Sequence, residues 1–138
     1  MVGRVASDGY NLRMLVRYKI HRGKRPAGEP LPNGIRQDTR KHTKHCLRPT
    51  EKLVTEYLGN PTSKAWKEFA AKYLRNLEER YEDDPTPFDE LADLAMDRDV
   101  YIGCSCPTAK NPDVKHCHTV MALKFMKEHY PALEVEFS

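Results

Sequence analysis

Sulfur and imidazole side chains are concentrated in one part of the chain, between Val100 and His129. This part holds three of the four cysteines and, beside them, two histidines: Cys104, Cys106, His116, Cys117 and His118. Thiolates and imidazoles serve proteins as metal ligands, as nucleophiles and as carriers of protons. The sequence therefore predicts a functional site in this segment.

The elements around these residues are predicted to be a strand, a polar loop, a helix and a second strand. The run Val100–Cys104 is apolar without strict alternation, which is typical of a strand covered on both faces, and Pro107 cannot continue its hydrogen bonding. Apolar residues recur at helical spacing over 118–130 and alternate with glutamates over 133–137. This order predicts a βαβ unit, right-handed as nearly all such connections are. Ligands of open α/β sheets bind beyond the carboxyl ends of the strands, which is where the cysteines and histidines fall.

A first interpretation is an anion-binding pocket. Arg17, Lys19 and Arg22 lie in or just after the predicted first strand, and the amides that open the helix at His118 are expected at the same edge. Arginine together with helix-start amides binds phosphate or carboxylate groups. The ligand-binding residues would be Arg17, Arg22, Cys104, Ser105, Cys106 and His118. The expected partner is a phosphate-containing small molecule or a nucleic-acid backbone, because the sequence has no motif for reading bases in a groove.

A second interpretation is a zinc site. The predicted ligands are Cys104, Cys106, Cys117 and His116, with His118 as the alternative imidazole, and all are of the types that zinc prefers. A C-x-C pair followed ten residues later by His-Cys-His departs from the usual C-x₂₋₄-C spacing. Cys104 and Cys106 are nevertheless two residues apart in a strand and point to the same side, so the ligands can converge.

A third interpretation is a thiol-dependent enzyme. Cys117 stands at the start of a helix, where a thiolate is electrostatically favoured, and His118 is the candidate acid or base. Side chains of neighbouring residues usually diverge, which weighs against a direct Cys117–His118 pair. At the level of sequence all three interpretations stay open, with anion binding in the lead and enzymatic activity on the ligand undecided.

The length and composition of the chain predict its class. A chain of 138 residues suffices for one domain with one core, burying about two thirds of the surface of the unfolded chain. No apolar run approaches the roughly 18 residues of a membrane helix, and no signal-peptide pattern follows Met1. We therefore expect a cytoplasmic protein whose cysteines are thiols or metal ligands rather than structural disulfides.

Charge is distributed unevenly, although the net charge is only +3. The segment from Arg17 to Arg48 has ten Lys/Arg residues against Glu29 and Asp38, a net charge of +8, whereas residues 51–99 carry a net charge of −6. Residues 27–45 contain several prolines and glycines and are predicted to form a long basic loop. Such a segment favours contact with phosphate groups, and a solvated surface loop is an equal alternative.

Together these patterns predict a single compact α/β domain over residues 1–138, with residues 1–8 as a flexible arm. A small, mainly parallel sheet is expected from strands near 12–20, 100–105 and 133–137, with a fourth strand from the loop after Ile20 as the alternative. The covering helices are expected near 50–58, 61–82, 86–97 and 118–130. The helix at 61–82 is the clearest, with Asn60 as its predicted cap and an apolar stripe of Trp66, Phe69, Ala70, Tyr73, Leu74, Leu77 and Tyr81.

Several of these features together resemble the YeaO-like bacterial proteins, a domain family of unknown function. The resemblance runs from Asp8 to about Lys127 and rests on Asp8-Gly9-Tyr10, Leu15-Val16, Arg22-Gly23, Leu47-x-Pro49-Thr50, Trp66-x-x-Phe69-x-x-x-Tyr73, Val100–Cys104 and His118. It implies a compact α/β domain with a central, mainly parallel sheet, and it implies no particular reaction. The chain departs from the family where Cys104-Ser105-Cys106-Pro107 replaces the usual Ala-Arg-Asp, so a metal held by these thiols would not be a requirement of the whole family.

Overall fold

The computed structural model describes residues 13–21, 23–109, 111–113 and 115–137. These residues form a single α/β domain with four strands and four helices: β1 (Leu15–Lys19), β2 (Ile35–Asp38), α1 (Glu51–Gly59), α2 (Ser63–Asp83), α3 (Thr86–Asp97), β3 (Val100–Cys104), α4 (His118–His129) and β4 (Val135–Glu136). The predicted fold class is confirmed. The predicted arm at residues 1–8 and the candidate ligand residue Arg22 lie outside the described residues.

The sheet has the strand order β2-β3-β1-β4, and all of its strand pairs are parallel. The register pairs Lys19 with Cys104 and Asp38 with Gly103, so β1, β2 and β3 end at the same edge. The C-terminal unit β3–α4–β4 is the expected βαβ arrangement, and β1 lies between its two strands. The cysteines and histidines after β3 and at the start of α4 therefore lie at one edge of the sheet.

The strand β2 lies within residues 27–45, which the sequence predicted to be a loop. It is the fourth strand that was considered as an alternative. Only Ile35 of its four residues is apolar, and the strand is at the edge of the sheet, so the sequence shows no apolar periodicity there. Backbone bonds hold it to its neighbour: the Ile35 amide donates to the Asp99 carbonyl (3.1 Å) and the Thr39 amide to the Gly103 carbonyl (3.0 Å).

The helices bury their apolar faces against one core. The predicted stripe of α2 supplies the buried residues Phe69, Tyr73 and Leu77, and the phenolic hydroxyl of Tyr73 donates to the Leu47 carbonyl (2.6 Å). The start of α2 was predicted wrongly: Thr62, not Asn60, caps it by accepting from the Ala65 amide (3.0 Å). No helix of the described part of the chain combines the length and apolarity needed to cross a membrane.

Candidate functional site

A cleft of about 740 Å³ opens at the carboxyl edge of the sheet. Residues at the ends of three parallel strands and just after them line it: Lys19 and His21 for β1, Arg40, Lys41 and His42 for β2, and Cys104, Ser105 and Cys106 for β3. Its position is the one that the topology of an open parallel sheet predicts. Its volume is within the range of sites for small molecules, roughly 300–1,000 Å³.

Buried polar side chains are concentrated beside this cleft. Among the described residues five polar ones are buried: Arg17, Thr39, Asn111, His118 and Thr119. Each either lines the cleft or contacts a residue that does. Burying a polar group costs free energy unless it is hydrogen-bonded, and in the described part of the chain no buried side-chain nitrogen or oxygen lacks a partner. The edge is therefore an ordered polar site within an apolar interior.

Two buried cysteines lie in contact at the base of the site, and one of them, Cys104, lines the cleft. Cys104 is the last residue of β3 and Cys117 is the N-cap of α4, and each is 2% exposed. Their sulfur atoms are 2.7 Å apart, and the Cys117 sulfur is also 3.1 Å from the hydroxyl oxygen of Thr119. One ring nitrogen of His118 and the two sulfurs all lie within 4.8 Å of one another. Among the described residues, these three groups are close enough together to hold a metal ion.

Arg17 places a positive charge behind the cysteines. Its side chain is 7% exposed, and its Nε donates to the Thr119 hydroxyl (3.1 Å). Its Nη2 donates to the Cys106 carbonyl (2.9 Å) and lies 4.0 Å from the Cys104 sulfur. No carboxylate of the described residues pairs with it, so the Cys104 sulfur is the group near it that can carry a compensating negative charge.

The three thiols near Arg17 affect one another's pKa values. Hydrogen bonds from the Cys106 and Cys117 thiols hold the pKa of Cys104 well below its usual range. The pKa values of Cys106 and Cys117 are raised, chiefly because each thiol keeps its proton to bond to the Cys104 sulfur, and burial adds to this. The nearby positive charge of Arg17 favours the same distribution. Cys104 is therefore the thiol of the group that loses its proton most readily.

Hydrogen bonds also fix the tautomer of His118. The Thr39 hydroxyl donates to the Gly103 carbonyl (3.0 Å), so its oxygen accepts from Nε2 of His118 (2.9 Å). Burial lowers the pKa of His118, which keeps the ring neutral at pH 7. Nε2 thus carries the hydrogen, and Nδ1 keeps a free lone pair that can accept a proton or bind a metal.

Asn111 anchors the loop that joins β3 to α4. Its amide nitrogen donates to the Cys106 sulfur (3.3 Å) and to the His116 carbonyl (2.6 Å), and its amide oxygen accepts from the hydroxyl of Tyr57 (2.9 Å). The ring of His116 stacks on Trp66, with ring centres 5.1 Å apart, and its Nε2 lies 3.8 Å from Asp113. The loop is therefore tied to α1 and α2, and the imidazole of His116 packs on Trp66.

Basic side chains form the rim of the cleft. Arg40 donates from Nη2 to Asp38 (2.7 Å) and from Nη1 to the Ser105 hydroxyl (3.5 Å), so it is held beside the end of β3. Burial alone would raise the pKa of Asp38, but the hydrogen bonds from Arg40 outweigh burial and lower it. Asp38 also lies 3.7 Å from His42. Asp38 thus orients two basic side chains of the rim.

A family model described as the active DUF488-N3 subclade matches residues 2–130. The chain belongs to this family. Membership in a family defined as a domain of unknown function confirms the coarser part of the resemblance found in the sequence. Searches among curated proteins and among solved structures find no significant match.

In this DUF488-N3 protein, most of the candidate residues from the sequence come together. Cys104, Ser105, Cys106 and His118 line the cleft, and Cys117 lies directly behind Cys104. Arg17 lies behind the cysteines rather than in the cleft wall, and it reaches the Cys104 sulfur. Of the two histidines considered as metal ligands, His118 belongs to the buried group with Cys104 and Cys117. His116 instead stacks on Trp66.

Several residues of the DUF488-N3 site were not predicted. Arg40, Lys41 and His42 were assigned to a basic loop, and only the strand before them brings them to the cleft. Thr39, Asn111 and Thr119 are common polar residues without a diagnostic spacing. Thr119 and Asn111 lie within the cysteine-containing segment, so their position in the sequence was the one indication that could have identified them.

Proposed function

We propose that this DUF488-N3 protein binds an anionic small molecule in the cleft at the carboxyl edge of its sheet. The supporting observation is the composition of the cleft wall, whose described residues include no carboxylate and five basic side chains besides His118: Lys19, His21, Arg40, Lys41 and His42. The carboxylates closest to them, Asp38 and Glu29, are engaged with Arg40 and His21. A concave site lined by one sign of charge concentrates ligands of the opposite sign.

The rim and the floor of the cleft have different tasks in this proposal. Arg40 presents a guanidinium that Asp38 holds in place, a geometry that suits phosphate and carboxylate oxygens. The Ser105 hydroxyl offers a hydrogen bond beside the cleft floor, and His118 offers an acceptor for a protonated group of the ligand. Arg17 acts through the cysteines. Arg22, which follows β1 in the sequence, remains a proposed ligand-binding residue. Of the candidate catalytic groups, His118 lines the cleft, whereas Cys117 could act on a bound ligand only through Cys104.

The test is calorimetric titration of the protein with pyrophosphate and with adenosine 5′-monophosphate, with adenosine as the uncharged reference. Arg40→Gln is expected to weaken binding about tenfold or more, because a hydrogen bond to a charged group contributes about 1.5–3 kcal/mol. The control is Arg98→Gln, an arginine whose side chain is 60% exposed and which precedes β3, at the opposite edge of the sheet.

Equal affinity of wild type and Arg40→Gln for both phosphates, or tight binding of adenosine, would contradict anion recognition in the cleft. A short single-stranded oligonucleotide added to the same series separates the two expected partners. Tighter binding of the oligonucleotide than of either small phosphate, with a steep dependence on salt, would favour a nucleic-acid backbone.

Zinc binding is the second candidate function. It is favoured by the buried group of Cys104, Cys117 and His118, whose ligand atoms lie within 4.8 Å of one another, and Cys106 is the proposed fourth ligand. The hydrogen bond from Nε2 of His118 to Thr39 is the kind of support that metal-binding histidines receive.

The distance between the two sulfurs weighs against zinc. Two thiolates bound tetrahedrally at about 2.3 Å from one ion stay about 3.8 Å apart, so the 2.7 Å pair would have to separate by about 1 Å. Elemental analysis of protein purified with reductant and without chelator tests this candidate. One zinc per chain, absent from Cys104→Ser and present in Cys46→Ser, is the expected result if the metal is bound here.

The finer assignment to the YeaO-like proteins and a cytoplasmic location belong to the same proposal. The match of the chain to the DUF488-N3 subclade is compatible with its resemblance to the YeaO-like proteins. A cytoplasmic location would keep the buried thiols reduced, apart from transient or catalytic disulfides.

A further inference from the structure

The two buried cysteines differ in their access to the cleft. Cys104 lines the cleft, whereas Cys117 does not and contacts the Cys104 sulfur. The sulfurs are 2.7 Å apart and would need to approach by only about 0.7 Å to reach the length of a disulfide bond. One thiol of the pair is therefore placed for an incoming reagent, and the other is placed behind it.

We propose that Cys104 and Cys117 form a redox-active dithiol that exchanges with an acidic low-molecular-weight disulfide bound in the basic cleft. The choice of an acidic co-reactant rests on the proposed anion-binding function, because Lys19, Arg40 and Lys41 line the approach to Cys104. The dithiol itself rests on a separate observation, the approach of the two sulfurs.

The proposed reaction has two balanced steps. The Cys104 thiolate attacks one sulfur of the bound disulfide, the disulfide bond of the ligand breaks, and one thiolate leaves and takes up a proton. Cys117 then loses its proton and attacks the Cys104 sulfur, the mixed disulfide breaks, and the second ligand thiol is released. The two protein thiols are oxidised to one disulfide and the ligand is reduced to two thiols, as in other thiol–disulfide exchanges. A dithiol reductant reverses both steps.

Neighbouring groups support this division of roles. The guanidinium of Arg17 is 4.0 Å from Cys104 and favours negative charge on the sulfur that faces the cleft. Thr119 accepts from Arg17 (3.1 Å), so its own hydroxyl hydrogen is free to turn toward the Cys117 sulfur, which is also 3.1 Å away. Arg17 and Thr119 are thus positioning residues for the two sulfurs.

The experiment uses three small disulfides of similar size and different charge: 3,3′-dithiodipropionate (anionic), bis(2-hydroxyethyl) disulfide (neutral) and cystamine (cationic). The full chain is reduced, treated with chelator and freed of both reagents before mixing at low salt. Intact mass and peptide mapping follow the reaction. We expect the loss of two hydrogen atoms, a Cys104–Cys117 cross-link, and oxidation about tenfold or more faster with the anionic than with the cationic disulfide.

Variants assign the order of attack. Cys117→Ser, with Cys106 also replaced by Ser so that no second thiol remains beside Cys104, is expected to accumulate a mixed disulfide on Cys104. Cys104→Ser is expected to lose the cross-link. The matched control is Cys46→Ser, since Cys46 is the cysteine outside the cluster and should not affect the rate. Peptide mapping of the wild type alone remains decisive if a variant fails to fold.

Two results would overturn the proposal: a wild-type protein that forms no Cys104–Cys117 cross-link with any of the three disulfides, or an adduct in the variant lacking Cys106 and Cys117 that maps to another cysteine. The failure of the anion-binding function is distinguishable from these, because it would give the cross-link at equal rates with all three reagents. Calorimetric binding of pyrophosphate without any cross-link would instead leave anion binding standing and remove the dithiol.

Discussion

At the scale of single residues, hydrogen bonds fix the protonation state of two histidines near the cleft. His118 donates from Nε2 to Thr39, as described above. Nδ1 of His45 accepts from the Leu47 amide (3.1 Å), so its Nε2 carries the hydrogen and donates to the side-chain oxygen of Gln37 (2.6 Å). A backbone amide determines which nitrogen of His45 is protonated, and the Thr39 hydroxyl does so for His118. Burial lowers the pKa of both rings, so both are neutral at pH 7.

Neutral His45 makes stability depend on pH. Burial, followed by the proximity of His118, lowers the pKa of His45 to about 4. The unfolded chain, with a pKa near 6.5, binds the proton first as the pH falls. The contribution of His45 is therefore complete above about pH 6.5 and is lost as the pH falls toward 4, by up to roughly 3 kcal/mol. Urea unfolding between pH 7.5 and 4 measures this loss.

His45→Asn is expected to be less stable at pH 7.5 and to lose less stability on acidification than the wild type. The control is His42→Asn, because the His42 side chain is 60% exposed and should leave the pH dependence as in the wild type. Parallel pH profiles for the wild type and His45→Asn would show that acid sensitivity originates elsewhere.

At the scale of elements, the sequence predicts those helices and strands whose apolar residues follow a recognisable pattern. The helices were found because their apolar stripes repeat over several turns, and β3 because its residues are buried on both faces. β2 was assigned to a loop because an edge strand of four residues with a single apolar side chain has no such pattern. The cap of α2 was misplaced because Asn60, Thr62 and Ser63 all favour helix starts, and packing rather than propensity selects among them.

The sequence predicted the part of the site that lies in the segment around β3 and α4. Cys104 and Cys117 meet because a strand end and the following helix start share one edge of a parallel sheet, which topology rules anticipate. The contacts of Arg17 with Cys104 and of Thr39 with His118 depend on the register of β1 and β2 against β3. The register of the strands results from long-range packing, which leaves no pattern in a single sequence.

The close contact between β3 and β1 requires a residue without a side chain at Gly103. A Cβ atom there would lie 2.6 Å from a ring carbon of Tyr18 and 2.8 Å from the side chain of Ile20. Gly103→Ala is therefore expected to destabilise the protein by about 1–3 kcal/mol, the usual cost of overpacking. Denaturant unfolding at pH 7.5 measures the change.

Gly59 provides the matched control for this substitution. It is the last residue of α1, and apart from its chain neighbours and its own helix backbone no atom of the described residues lies within 4 Å of the position that a Cβ would take. Gly59→Ala should be neutral or should stabilise by up to about 1 kcal/mol, because alanine favours the helix. Equal effects of the two substitutions would mean that the sheet adjusts freely around Gly103.

At the scale of the whole molecule, the uneven charge of the sequence has a structural counterpart. The basic segment from Arg17 to Arg48 contains β1, β2 and the residues after each strand, which form the rim of the cleft. The acidic residues 51–99 include α1, α2 and α3. Although the net charge is only +3, basic residues are concentrated at one end of the sheet. This distribution would favour the approach of anions to the cleft.

The stability of the whole molecule should also report on the proposed dithiol. Cys104 and Cys117 are 13 positions apart, and closing a loop of that length restricts the unfolded chain by about 3 kcal/mol. In a domain of this size the gain corresponds to a rise in melting temperature of roughly 10 °C. The comparison is between reduced and 3,3′-dithiodipropionate-oxidised protein in differential scanning calorimetry, both free of metal.

Cys117→Ser, again with Cys106 replaced by Ser and treated with the same disulfide, separates the cross-link from simple modification of Cys104. Its adduct closes no loop, so its melting temperature should not rise with that of the oxidised wild type. A wild-type cross-link that lowers the melting temperature would mean that drawing the sulfurs together strains β3 and α4 by more than the loop closure contributes. In that case the reduced pair, supported by Arg17 and Thr119, would be the state that the fold stabilises, and the disulfide a short-lived intermediate of exchange.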